Sequence, residues 1–70
     1  PDSLCCPLSL EIFIDPVTLR TDGANYERAD ITQWITLNKT SPLTRAPCSL
    51  ADLAANEPLR REAKAFRAAH

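Results

Sequence analysis

Three cysteines and one histidine are the residues of this 70-residue sequence best suited to chemistry, namely Cys5, Cys6, Cys48 and His70. A structural zinc ion needs about four ligands at suitable spacing, and no Cys-x-x-Cys pair is present. A disulfide between the adjacent Cys5 and Cys6 would be strained, and the odd number of cysteines argues against a disulfide framework. The pattern predicts no metal, a reducing compartment, and Cys5 and Cys48 as small buried apolar side chains.

Other catalytic arrangements are also missing from the pattern. No histidine lies near a cysteine in sequence, and His70 is the terminal residue, where chains fray, so a nucleophilic cysteine is disfavoured. The carboxylates are scattered rather than paired, and no Gly-rich loop could cradle a phosphate. We therefore predict neither a catalytic residue nor a cofactor.

The charge and hydropathy of the sequence limit the kinds of partner that the chain is expected to bind. Acidic and basic residues are interspersed and the net charge is −1, so nucleic-acid binding has no electrostatic basis. The basic residues near the C-terminus are interpreted as the solvated face of a helix. No apolar run is long enough to cross a membrane, and no signal peptide begins at Pro1. These features predict neither nucleic-acid nor membrane binding.

The length predicts one domain over residues 1–70, and a domain this small has a thin stability margin. Natural domains of this size often add a metal, a disulfide or an oligomer interface. The sequence must therefore contain another stabilising feature in place of a metal, a disulfide or an oligomer interface.

Apolar periodicity and turn residues predict a short series of elements without an internal repeat. Gly23 marks a hairpin turn, and Asn56 is a candidate helix N-cap. The predicted elements are an irregular loop over 4–14, a hairpin over 17–26, a helix over 27–37, a proline-bounded loop over 42–50 and a helix over 56–69. The stretch 50–55 between the last two is expected to remain a loop.

Six short motifs in this order resemble the U-box family, the zinc-free relative of the RING finger. They cover residues 4 to about 66 and read Cys6-Pro7-Leu8, Asp15-Pro16-Val17, the stretch 23–28, Ile31 to Trp34, the stretch 42–47 and the stretch 56–61. Leu8 stands where isoleucine is usual. The resemblance implies an α+β, RING-like U-box fold with a β-hairpin, a central helix, two long loops, a C-terminal helix and no zinc.

The resemblance implies an E3 ubiquitin-protein ligase domain that binds a ubiquitin-conjugating enzyme (E2) charged with ubiquitin. Such a domain promotes transfer of ubiquitin to a substrate lysine without a covalent intermediate of its own. The implied E2-binding residues are Leu8, Leu10, Trp34, Pro42, Thr44, Arg45 and Pro47. Arg45 matches the linchpin position, where a cation donates hydrogen bonds to both E2 and ubiquitin, and the fixed guanidinium fork suits that role.

Structural roles remain open for most of these side chains. Leu8, Leu10 and Trp34 could instead belong to the core, since large apolar residues are buried by default. Both prolines could serve only as turn formers. Arg45 could form a salt bridge within the domain.

The resemblance also implies that hydrogen bonds and salt bridges replace zinc. The candidates are Glu11, Asp15, Asp22, Arg28 and Arg45, with Ser9, Thr18 and Asn25 as neutral partners. Exposed ion pairs contribute only about 0–1 kcal/mol each, so the network must be connected and partly buried. Arg28 is predicted to be a structural member.

An alternative function is a U-box-like interaction module that lacks transfer activity. In either case, substrates would be recruited by other domains, and a homodimer is compatible with the fold. The expected location is the cytoplasm, or the host cytoplasm if the protein is a bacterial effector.

Overall fold

The computed structural model describes residues 4–69, which form a three-stranded antiparallel sheet and two helices. The elements are β1 (Pro16–Leu19), β2 (Asn25–Glu27), α1 (Arg28–Asn38), β3 (Leu53–Ala55) and α2 (Glu57–Ala69). The strand order in the sheet is β2-β1-β3. This is the α+β arrangement that the sequence predicted. His70 lies outside the described residues, and neither helix within 4–69 is long and apolar enough to span a bilayer.

The predicted hairpin is formed by β1 and β2, with Val17 opposite Tyr26. Its turn depends on Gly23, whose φ of 73° lies in the left-handed region that glycine adopts without steric cost. The Asp22 carboxylate accepts a hydrogen bond from the N–H of Ala24 at 2.8 Å, and this bond stabilises the turn. The turn residues therefore fix the register of the hairpin.

Both helices begin and end within one residue of their predicted bounds. α1 buries Ile31 and Ile35 and ends at Lys39, whose N–H donates to the carbonyl of Ile35 at 2.8 Å. In α2, Asn56 is the predicted N-cap, since its Oδ1 accepts a hydrogen bond from the N–H of Leu59 at 3.1 Å. Ala63 of α2 is fully buried against the core.

The prediction of a loop over 50–55 is wrong. A 3-10 turn, Leu50–Asp52, leads into β3, which pairs antiparallel with β1 and places Leu53 opposite Leu19. Alanine is a weak strand former, so no local pattern marks this strand. Pairing with β1, far away in sequence, determines its conformation.

The core lies between the sheet, α1 and the base of the first loop. Its fully buried members include Val17, Leu19 and Ile31. The prediction for the cysteines needs correction, since Cys6 is the fully buried one, whereas Cys5 and Cys48 are only partly buried. The Cys6 thiol faces the backbone of β2 and accepts a hydrogen bond, which explains why an adaptable small side chain fits there.

An internal repeat, which the sequence analysis did not predict, relates the two loops. Each is closed by one antiparallel bridge, Cys5 to Ile12 around the first loop (residues 5–12) and Thr40 to Pro47 around the second loop (residues 40–47). In both, the second residue donates its N–H to the seventh residue and accepts a hydrogen bond from the sixth. The loops begin alike, as Cys-Pro-Leu-Ser and Ser-Pro-Leu-Thr after the bridge residue.

A hydrogen-bond cluster centred on the carboxylate of Asp22 joins the hairpin to the second loop. The Tyr26 hydroxyl donates to Asp22 Oδ2 at 2.7 Å, and the buried Ser41 hydroxyl donates to the same oxygen at 2.5 Å. Ser41 Oγ in turn accepts the N–H groups of Leu43 and Thr44, both at 3.0 Å. Every polar group at this junction is therefore paired, which makes a partly buried network stabilising.

A second cluster joins the first loop to the start of α1. The Glu27 carboxylate accepts hydrogen bonds from the N–H groups of Ile14 and Asp15, at 2.9 and 3.1 Å. Arg28 Nε lies 2.8 Å from Asp15 Oδ2, with both side chains nearly half exposed. Among residues 4–69, the Glu11 side chain has no hydrogen bond or ion pair. Asp15, Asp22 and Arg28 thus take part in such clusters, and Glu27 and Ser41 join them unpredicted.

A third cluster ties α2 to the hairpin. Asn56 Nδ2 donates to Thr18 Oγ1 and to Asn25 Oδ1, both at 3.2 Å, and Thr18 donates to Asn25 at 2.6 Å. At the other end of α2, Arg67 donates to the carbonyl of Phe13 at 2.7 Å. In the part of the chain that the structure describes, no group of three His, Cys, Asp or Glu side chains could hold a metal ion.

Ser41→Ala should lower the free energy of unfolding by about 2 kcal/mol, because it leaves two backbone N–H groups and one carboxylate short of a partner. Ser9→Ala is the matched control, since Ser9 is exposed and accepts one long bond of 3.4 Å. The control should change the stability by less than about 0.5 kcal/mol. Urea unfolding of both variants measures the difference, and equal losses would contradict the structural role of Ser41.

Burial, followed by the hydrogen bond to the Asp22 carboxylate and its charge, raises the pKa of Tyr26 well above its ordinary value. The folded state thus favours the protonated phenol. The resulting stability is fully present below about pH 10, the unfolded pKa, and is lost as the pH rises above it.

Tyr26 is the single tyrosine, so phenolate absorbance reports it directly. We expect that absorbance to appear only as circular dichroism shows the fold opening. Tyr26→Phe should flatten the dependence of stability on pH in the same window. A phenolate that titrates near pH 10 with the fold intact would overturn the assignment.

Candidate functional site

Large apolar side chains are unusually exposed on the loops and α1. Leu10 is 79% exposed, Leu37 73% and Leu43 66%, whereas Leu8 is about one-third exposed at 37%. A contiguous exposed apolar surface in a small protein commonly marks a binding site for another protein. Two adjacent hollows bring several of these side chains together on one surface.

The first, the helix-side hollow, lies between the first loop and α1 and has a volume of about 400 Å³. It is lined by Leu8, Asp30, Gln33, Trp34, Leu37 and Asn38. Leu8 and Trp34, both predicted to bind E2, thus meet across it. Three of the lining side chains are apolar and three are polar.

Trp34 belongs both to this hollow and to the core, so the core role considered from the sequence is present, while its contact with E2 stays a prediction. It is partly buried, and its ring packs against the core cluster. Its indole N–H is buried and has no acceptor within residues 4–69. An unpaired buried donor costs about 1–3 kcal/mol, so the apolar face of the ring must supply compensating contacts.

The second, the inter-loop hollow, lies between the first and second loops and also measures about 400 Å³. It is lined by Pro7, Leu8, Ala24, Tyr26, Pro42 and Leu43. Leu8 is therefore the wall shared by the two hollows, and Pro42 contributes to a cavity wall as well as to a turn. The Tyr26 ring lies at the base of this hollow, and the Tyr26 hydroxyl donates a hydrogen bond to Asp22.

Arg45 stands at the edge of the second loop, exposed and in a left-handed backbone conformation with φ of 66°. Within residues 4–69, its guanidinium has neither an ion pair nor a hydrogen-bond partner. The intradomain salt bridge considered from the sequence is therefore not formed in the described part. All five donors of the guanidinium remain available to another molecule.

The remaining predicted site residues do not line either of these two hollows. Leu10 has φ of 62° and is the first-loop equivalent of Arg45 in the internal repeat. Thr44 Oγ1 accepts the N–H of Ala46 at 3.3 Å, and Pro47 is held in the bridge that closes the second loop. Thr44 and Pro47 therefore support the loop conformation that presents Arg45.

A third hollow of about 340 Å³ lies at the end of α1, lined by Ile35, Thr36, Lys39, Cys48, Ser49 and Leu50. Burial, with smaller contributions from Asp52 and Asp22, raises the pKa of the Cys48 thiol. A raised pKa keeps the group as a thiol at neutral pH, whereas a nucleophilic cysteine needs a lowered pKa. The raised pKa therefore gives no support for Cys48 as a nucleophile.

Leu37 and Leu43 also belong to this surface, although neither was predicted as a site residue from the sequence. Leu37 follows Trp34 at a spacing of three on α1, and this spacing could have indicated a shared face. Leu43 offered a weaker signal, a large apolar residue directly after Pro42 in a proline-bounded loop. Its exposure depends on how the second loop docks, which no local pattern encodes.

Relatives share this sequence over most of its length. The sequence model of the U-box domain family matches residues 1–70. U-box domain-containing protein 25 of Arabidopsis thaliana is 50% identical over 80% of this chain, and the E3 ubiquitin-protein ligase CHIP of the same plant is 38% identical over all of it. The chain spans only 14% and 25% of the length of these two relatives.

A solved structure has the same fold. The RING finger-like domain of Retinoblastoma Binding Protein-6 matches with a TM-score of 0.87 at 27% identity, over 96% of this chain and 76% of that domain. The matched fold agrees with the loops, sheet and helices described above. The whole-length match, the identity to curated relatives and the fold together show that this chain belongs to the U-box family.

Proposed function

We propose that this domain is the E2-docking part of an E3 ubiquitin ligase. It binds an E2 that carries ubiquitin as a thioester and promotes transfer of that ubiquitin to a substrate lysine. Relatives named E3 ubiquitin-protein ligases support this proposal, among them PUB24 and CHIP of Arabidopsis thaliana, 42% and 38% identical to this chain.

The observation that carries the proposal is an apolar surface next to an unpaired cation. Leu8 joins the helix-side and inter-loop hollows, and Arg45 stands free at the rim of the second loop. The apolar part gives affinity for apolar loop tips of E2. Arg45 can donate hydrogen bonds to E2 and to ubiquitin at once, since its donors are spread over a rigid plane.

The chemistry belongs to the partner and the substrate. The lysine amine attacks the thioester carbonyl, an isopeptide bond forms, the carbon–sulfur bond breaks, and the E2 cysteine leaves as its thiol. This domain contributes orientation, because holding the thioester in a reactive arrangement lowers the entropic part of the barrier. No step of this reaction needs a nucleophile from this chain.

Other properties follow from the same proposal. Substrates would be selected by parts of the parent protein beyond this domain, and the reaction would take place in the cytoplasm, where E2 enzymes and ubiquitin are available. The alternative is an interaction module without transfer activity. The unpaired Arg45 favours the ligase, since an apolar docking surface alone would have no use for it.

The decisive experiment measures ubiquitin discharge from a panel of purified, charged E2 enzymes onto free lysine. Arg45→Ala should lower the discharge rate by roughly tenfold or more while E2 affinity changes little, because it removes hydrogen bonds made in the reactive arrangement. Leu8→Ala should weaken both E2 binding and discharge. Leu50→Ala, on the third hollow, is the matched control and should behave as the wild type.

Two results would count against the ligase. If the wild type binds an E2 without accelerating discharge, the domain is an interaction module. If Arg45→Ala discharges normally with every responsive E2, Arg45 is not the linchpin. Thermal unfolding of each variant separates these results from a loss of fold.

A further inference from the structure

We infer that the third hollow is a docking site for a protein segment that carries a large apolar side chain next to a carboxylate. This site goes beyond the proposed function, because it lies apart from the surface proposed to bind E2 and can be filled while E2 is bound. The inference depends on the left-handed backbone of Lys39, on its unpaired ammonium group and on the apolar walls beside it.

The helix α1 separates the third hollow from the helix-side hollow. The third hollow shares no lining residue with either of the other two. At about 3.6 residues per turn, Ile35 and Thr36 lie on the other side of α1 from Trp34 and Leu37. A partner can therefore occupy the third hollow without contacting the side chains that line the helix-side hollow.

The backbone conformation of Lys39 carries a steric cost. Its φ of 58° is left-handed, and it lies at the C-terminal end of α1, where glycine would have no such penalty. Among residues 4–69, the other non-glycine residues with positive φ are Leu10 and Arg45, both in the two loops. Strain of this kind is concentrated at binding and catalytic sites, so a lysine at this position indicates a use for its side chain.

The charge at the third hollow is that of a cation without a partner. Of the six residues that line it, Lys39 is the charged one. Within the described range 4–69, the Lys39 ammonium group has no ion pair and no hydrogen bond. The Asp52 carboxylate does not line the hollow, and it accepts the N–H of Ser49 at 2.9 Å. A carboxylate of a partner therefore complements Lys39 directly.

The walls of the hollow indicate the rest of the partner. The hollow measures about 340 Å³, and it contains the buried side chain of Ile35 and the 49% exposed side chain of Leu50. Small-molecule sites enclose most of their ligand, whereas Lys39, Ser49 and Leu50 are exposed here. A protein segment therefore suits the hollow, since it can place one apolar side chain against Leu50 and the neighbouring carboxylate on Lys39.

Titration of the isotope-labelled domain with short acetylated peptides, followed by NMR, tests the inference. In each peptide of the panel, one leucine, isoleucine or phenylalanine lies at a varied spacing from one aspartate or glutamate. A matched peptide replaces each acid with its amide. The amide signals of residues 35–39 and 48–50 should shift with the acidic peptides. The change from acid to amide should raise the dissociation constant roughly two- to fivefold, the range expected for an exposed ion pair.

Two variants assign the contacts. Lys39→Asn removes the charge but keeps a residue that tolerates the left-handed conformation, so it should abolish the preference for the acid over the amide. Leu50→Ala should weaken binding of every peptide roughly threefold or more, because less apolar surface is buried. Lys64→Gln and Leu37→Ala are the matched controls for charge and for apolar surface. Both residues are exposed outside the third hollow, so both variants should bind the peptides as the wild type does.

Three outcomes would overturn the inference. If no peptide of the panel shifts the signals of residues 35–39 and 48–50, the hollow is not a docking site for such a segment. If Lys39→Asn lowers the unfolding temperature while the preference for the acid persists, the lysine serves only the C-terminal end of the α1 dipole. A wild-type dimer that binds no peptide and that Leu50→Ala dissociates would assign the hollow to a second copy of this chain. Ubiquitin discharge is measured without the peptides, so failure of the proposed function is a separate result.

Discussion

The carboxylate of Asp22 accepts hydrogen bonds from three parts of the chain, and the relation between the hairpin and the second loop depends on it. The donors are the N–H of Ala24, the hydroxyl of Tyr26 and the hydroxyl of Ser41. A structural metal ion in a small domain performs the same task, since it joins distant segments by several directed bonds. Here an anion takes the central position, and the surrounding donors satisfy it, so its partial burial strengthens the bonds.

This arrangement connects the stability of the fold to the proposed linchpin residue, Arg45, through very few atoms. Ser41 Oγ, which donates to Asp22, also accepts the N–H groups of the two residues that precede Arg45. The left-handed conformation of Arg45 carries a backbone cost of order 1 kcal/mol and persists because the closed loop determines it. Leu10 has the same conformation at the equivalent position of the first loop, so the cost comes from the loop geometry and not from the cationic side chain.

The sequence predicted those features that depend on local patterns. Helical periodicity defined α1 and α2, Gly23 defined the turn, and Asn56 defined the start of α2. The order of six motifs was enough for the family and the fold. The residues at the loop edges, including Arg45, were identified through the resemblance and not through periodicity.

What the sequence could not predict depends on pairs that meet only in the folded chain. Ser41, between a threonine and a proline, has the pattern of an ordinary turn residue, yet it is buried and holds the second loop. Glu27 is simply the first residue of the helix predicted over 27–37, whereas in the structure its carboxylate binds the N–H groups of Ile14 and Asp15. The alanines of β3 have little strand propensity of their own. They form a strand because they pair with the backbone of β1.

The internal repeat gives particular weight to the sixth position, where the two loops differ in charge. Two equivalent Pro-Leu walls, taken alone, would accept an apolar partner in either of two orientations. The sixth position of each loop breaks that equivalence, because it carries apolar Leu10 in the first loop and cationic Arg45 in the second. A partner with an acceptor group on one side of its apolar contact then gains a hydrogen bond in one orientation and leaves a charge unpaired in the other. Under the proposed function, the shared loop geometry would hold the partner and the difference at the sixth position would orient it.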